Sequence, residues 1–214
     1  MSDNISRARA AAAEIFGHDH AGHDIDHLDR VHGLCTLLAA TEGGDPEVLG
    51  VAVYVHDMHR ILEKQGSSAG VEDAILDLLR RAGVDAELHD KVLECVACTG
   101  SYSFSSAPRT GADRILEGRI LRDADVLDAL GAIGIARAFM YGGMIGEPIW
   151  VPGIPVEDTY TRGKTTSIVH HFHEKLLKIA GDMWTDKGRE LAVERTEYMR
   201  GFLDRLLAEW DQQR

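Results

Sequence analysis

Three observations predict an all-α fold for this chain. Apolar residues recur at three- and four-residue steps, as in Leu28, Val31, Leu34, Leu37 and Leu38; only 6% of residues are aromatic, against a heavy load of alanine and leucine; and no segment alternates in the manner of a strand. At 214 residues with 44% hydrophobic content, the chain can bury one sizeable core, so a single domain over residues 1–214 is expected.

The elements follow from local punctuation. Ser2 to Phe16 reads as a first helix stopped by Gly17, and Asp24 to Ala40 as a second. Gly43-Gly44-Asp45-Pro46 then breaks the chain, with Pro46 suited to the first turn of a third helix that carries His56 and Asp57 toward its C-terminal half. A loop from Gly66 to Gly70 precedes a helix from Val71 to Ala82 closed by Gly83, and Asp85 is placed to cap a helix through Cys98. After a serine-rich loop from Gly100 to Gly111, Glu117 to Tyr141 reads as one long helix. Its second half, Leu127 to Met140, carries little charge beyond Asp128 and Arg137, which predicts burial. Three prolines and five glycines leave no room for a regular element over 142–163, and a loop of that length is usually a lid or an assembly contact. Helices over Thr166 to Ala180 and Asp186 to Trp210 finish the chain.

Composition excludes several classes. A net charge of -12, from 35 acidic against 23 basic residues, argues against duplex nucleic acid, whose affinity rests on neutralising phosphates. No run of about 18 uncharged apolar residues is present, so no membrane span is expected. The N-terminal segment is too charged for a signal-peptide core, and three cysteines fit a reducing compartment, so a cytoplasmic location is expected. Cys95 and Cys98 have redox-motif spacing but no second pair, which makes them weak evidence for metal or disulfide exchange.

The chemistry-bearing residues are His27, the adjacent pair His56-Asp57 behind the apolar run Val51 to Val55, and Asp125 in Asp123-Ala124-Asp125. Imidazole nitrogens with carboxylate oxygens suit one divalent cation such as Mn, Mg, Fe, Co or Zn. Neighbours on a regular helix diverge by about 100 degrees, so His56 and Asp57 can share an ion only at the helix flank, with other helices supplying the rest. Burying Asp57 without a partner would be costly, which again points to a bound cation.

Longer strings carry a resemblance. His23-Asp24-Ile25-Asp26-His27-Leu28-Asp29-Arg30-Val31 resembles the His-Asp-x-x-His-x-x-Arg-Val opening of small bacterial HD-superfamily phosphohydrolases, a family named for the pair seen here as His56-Asp57. Arg122 to Ala129, running on to Phe139, is similar to its third block, and Thr166-Ser167-Ile168 with His171 to Leu177 to its C-terminal block. The resemblance implies the HD-domain helical bundle and a metal-dependent phosphohydrolase, with His27, His56, Asp57 and Asp125 as metal ligands. Asp123 remains the alternative fourth ligand, or an outer carboxylate orienting the site. One ion, manganese by preference, is implied rather than two, because only His59 and His89 lie between the pair and the final aspartate. The expected substrate is a small phosphorylated metabolite, above all a nucleotide, and nucleoside triphosphate pyrophosphohydrolysis is the most specific activity implied. A non-catalytic module holding a metal and a regulatory nucleotide is the competing reading.

Asp57 or Asp128 is expected to position the attacking water or relay its proton. Phosphate-facing groups in so acidic a chain are sought in Arg30, one turn from His27; Arg60, one turn from His56; Lys164, at the start of the Thr166 helix; Lys175; and His171. The 142–163 loop and Leu191, Phe202, Leu206 and Leu207 supply either a homo-oligomer contact or the chain's own core.

Overall fold

The computed structural model describes residues 2–17, 22–99, 114–158, 160 and 165–213. Its regular elements are all helical, with no strand among the described residues. The helices are α1 (Asp3–Phe16), α2 (Ile25–Glu42), α3 (Pro46–Val53), α4 (Met58–Gln65), α5 (Val71–Ala82), α6 (His89–Val96), α7 (Leu116–Leu127), α8 (Gly131–Met144), α9 (Ile168–His171) and α10 (Asp186–Trp210). The chain divides into two compact units, one ending at Asp125 and the other running from Val126 to the C-terminus. No single helix among the described residues is long and apolar enough to cross a membrane.

In the first unit, caps set the helix starts. The Ser2 hydroxyl accepts the Ile5 amide, Asp24 accepts the His27 amide at 2.9 Å, and Asp45 accepts the amides of Glu47 and Val48 ahead of Pro46. Ile5, Ala8, Ala12 and Phe16 line one face of α1, and Leu28, Val31, Cys35 and Leu38 one face of α2. Helix α3 lies between α1, α2 and α6, and its residues Val48 to Val53 are all buried. Gly50 permits that packing, because a Cβ there would sit 2.4 Å from Ile5 Cδ1. Asn4 ties three segments together, donating to Glu47 and Asp85 and accepting the Asp85 amide.

Four local expectations are corrected. The third helix stops at Val53, and Tyr54 to Asp57 form a run of tight turns before α4. Asp85 precedes a 3-10 turn (Ala86–Leu88) rather than capping a continuous helix, because its carboxylate is taken by Asn4. The long helix breaks at Asp128–Leu130, where Gly131 adopts a φ of 72° that only glycine accepts readily, and Ile133, Met140 and Tyr141 beyond the break are exposed. The segment after Ser167 is a single α turn followed by a π-helical stretch (Phe172–Leu176) and a 3-10 turn (Ile179–Asp182).

In the second unit, Phe139, Phe172 and Phe202 pack with ring centroids 5.9 to 6.4 Å apart, so Phe202 closes the unit's own core. The irregular segment after Met144 is strapped down. Carbonyls of Pro148 and Ile149 accept the first amides of α9, and Trp150 stacks on His170 at 4.9 Å. Thr185 caps α10 through the Gly188 amide.

Candidate metal centre

All four residues singled out as ligands belong to the first unit. His27 sits in the first turn of α2, fixed by the Asp24 cap, while Asp125 lies near the C-terminal end of α7. His56 and Asp57 come from the turn between α3 and α4, where Asp57 has φ -91° and ψ 14°. That irregular backbone removes the divergence a regular helix would impose, and His56 Nε2 lies 3.8 Å from Asp57 Oδ2. His27 Nε2 is 3.5 Å from the same oxygen and 3.4 Å from Asp125 Oδ1, and His56 Nε2 is 3.7 Å from Asp125 Oδ1.

These atoms suit a cation. The His56 Nδ1–H donates to the Val53 carbonyl at 2.7 Å, which leaves the lone pair on Nε2, buried and without a hydrogen-bond partner. Burial alone would raise the Asp57 carboxyl, yet the neighbouring His56 and the bonds from His23 and His27 hold it well below the usual carboxylate range. Burial likewise opposes ionisation of Asp125, and His27 and His56 overcome it. His56 in turn is raised, since Asp57 and Asp125 outweigh its desolvation. Two ionised carboxylates therefore favour positive charge at His56 Nε2, and a divalent ion satisfies that demand better than a proton does.

His23 completes the cluster and was not singled out from the sequence. Its Nδ1 lies 2.7 Å from Asp57 Oδ2, and its ring meets His27 edge-on at 5.2 Å. His23, His27 and Asp57 form a second group with ligand-capable atoms within 4.8 Å of one another, beside the group of His27, His56 and Asp125. The local signal was its place at the head of the His-Asp-x-x-His string, where it stands just ahead of the Asp24 cap of α2.

The remaining predicted residues are placed as follows. Arg60 Nε donates to Asp57 Oδ1 at 3.1 Å, and Arg30 is half-buried on α2. Asp123 is buried beside Arg122, 3.1 Å away, and takes no part in either ligand group. Asp128 lies in the second unit, paired with Arg137 at 2.7 Å. His171 and Lys175 are also there, both against the Tyr160 ring. Burial, with Lys175 nearby, pushes His171 down to about 4. Lys164 lies outside the described residues, as does the 100–113 loop. His89 is engaged by the Val84 carbonyl, and Cys95 and Cys98 are buried free thiols, Cys95 pushed well above the usual range by burial.

No protein-family model matches the chain. The Bacillus subtilis protein YpgQ is 32% identical over 199 residues, covering 92% of this chain and 89% of the relative. Among solved structures, a Lactobacillus plantarum protein matches with a TM-score of 0.77 at 33% identity, covering 99% of this chain and 98% of that one. An HD-superfamily hydrolase from Bacillus thuringiensis matches with a TM-score of 0.74 at 32% identity over 97% of each chain. The chain belongs to the HD-superfamily hydrolases. As an HD-superfamily hydrolase it is a metal-dependent phosphohydrolase with an all-helical fold, and the His/Asp cluster is where its divalent metal chemistry is matched by suitable donors. YpgQ has also been crystallised in complex with ADP, and that structure matches with a TM-score of 0.73 at 30% identity over 96% of each chain.

Proposed function

We propose that this HD-superfamily hydrolase cleaves the phosphoanhydride of a nucleotide, as a nucleoside triphosphate pyrophosphohydrolase, with one manganese ion held by His27, His56, Asp57 and Asp125. The observation that carries the reading is the convergence of these four side chains around the buried, unbonded Nε2 of His56. The ADP complex of YpgQ supports a nucleotide as the substrate class. When bound, the ion would neutralise phosphoryl oxygens and make water a better nucleophile.

The chain's own residues set up that chemistry. The Val53 carbonyl keeps the His56 lone pair on Nε2, and the two ionised carboxylates offset the cation's charge. Arg30 and Arg60, in the same unit as the His/Asp cluster, are the cationic groups we assign to the substrate's phosphates. The ion pair with Arg137 favours a positioning role for Asp128 over proton transfer.

The test is release of pyrophosphate and of phosphate from a nucleotide panel with manganese, comparing wild type with His56→Ala and Asp57→Ala. Both variants should lose turnover by roughly a thousandfold or more while keeping their helical circular dichroism, consistent with removal of a metal's contribution. Wild-type protein that binds nucleotide yet releases neither product with any divalent ion would show a non-catalytic module instead.

A further inference from the structure

Both oxygens of Asp57 are engaged by side chains that come from outside the four-ligand set. His23 Nδ1 lies 2.7 Å from Oδ2, and Arg60 Nε donates to Oδ1 at 3.1 Å. Oδ2 is also the oxygen nearest His27 Nε2 and His56 Nε2, at 3.5 and 3.8 Å. A carboxylate free to turn about its last torsion offers either oxygen, or neither, to an incoming ion. Donors on opposite oxygens remove that freedom before the ion arrives.

We propose that His23 is a positioning residue for the metal centre: its hydrogen bond holds Asp57 with Oδ2 turned toward His27 and His56. The inference rests on the metal-centre reading above. His23 is itself held, since it immediately precedes the Asp24 cap of α2 and its ring meets that of His27 edge-on at 5.2 Å. An Nδ1–H donated to a carboxylate leaves the ring's lone pair on Nε2, across the imidazole from Asp57. His23 therefore acts on the ligand and not on the ion. Outer hydrogen-bonding partners of metal ligands typically change affinity by about 10- to 100-fold when removed, which sets the effect to look for.

The chemistry dictates the variants. An asparagine amide nitrogen stands the same number of bonds from the backbone as histidine Nδ1, so His23→Asn can restore the bond that His23→Ala removes. The full chain, stripped with chelator and desalted, is titrated with manganese by calorimetry, with free Mn followed by electron paramagnetic resonance. His23→Ala should bind manganese about 10- to 100-fold more weakly, and His23→Asn within about threefold of wild type, both with unchanged helical circular dichroism. His23→Asn as weak as His23→Ala would overturn the proposal by making the imidazole itself a ligand. Unchanged affinity in His23→Ala, with affinity lost in Asp57→Ala, would overturn the positioning role alone. Unchanged affinity in Asp57→Ala would sink the metal centre, and the proposal with it. Should His23→Ala fail to fold, His23→Gln takes its place, because its amide reaches one bond too far and should show the same weakening.

Discussion

At the scale of single residues, the site is a problem of directing lone pairs. Histidine and aspartate beside each other in sequence would look apart on a helix, and here a turn of non-helical backbone brings them to one locus. His171 shows how strongly burial sets protonation elsewhere in the chain. Its folded pKa of about 4 lies below the unfolded value near 6.5, so the unfolded chain takes up the proton first. The stability His171 contributes is therefore complete above about pH 6.5, falls as the pH drops from there toward 4, and is flat below. Denaturant midpoints for wild type and His171→Gln at pH 7, 5.5 and 4.5 should show the wild type losing more stability on acidification; parallel loss in both would refute this. The ligand residue types were legible in the sequence, but the bond between His23 and Asp57 joins positions 34 apart and no local pattern announces it.

At the scale of elements, glycines report where helices touch. Gly118 on α7 has no space for a side chain, since a Cβ there would lie 2.3 Å from Cys98 Sγ and 3.4 Å from the Cys95 carbonyl. Gly201, within α10, has no such neighbour within 4 Å. Gly118→Ala should therefore destabilise the chain by about 1 to 3 kcal/mol through overpacking. Gly201→Ala should stabilise it by about 0.5 to 1 kcal/mol through helix propensity. Chemical denaturation of both variants measures the contrast, and equal effects would remove the contact-based explanation. The break between α7 and α8 belongs to this scale too. Residues 117–141 read as one helix with a nearly uncharged second half, but Gly131 turns the backbone into the left-handed region, and Arg137 grips both the carbonyl and the carboxylate of Asp128.

At the scale of the whole molecule, the metal should couple to stability. The first unit holds ionised carboxylates against the cost of burial, and an ion that binds only the folded chain stabilises it by mass action. Manganese at 100 times its Kd should add about 2.7 kcal/mol, which for a chain of this size raises Tm by roughly 5 to 10 °C. Differential scanning fluorimetry of the stripped protein, with and without manganese, checks this, and Asp57→Ala should erase the shift. A net charge of -12 works in the same direction, because a negatively charged chain attracts divalent cations to the site.

By itself the sequence determined the helical class, the boundaries set by Ser2, Asp24 and Gly83, and the residue types of the candidate centre. Those features are local: a cap or a stop is decided within about four residues, and ligand chemistry belongs to the side chain. Tertiary structure alone decided the turn that aims His56 and Asp57 together, the clamping of Asp57 by His23 and Arg60, the capture of Asp85 by Asn4, and the packing of Phe139, Phe172 and Phe202. Each of these depends on which distant groups meet once the core closes, and hydrophobic periodicity carries no record of that.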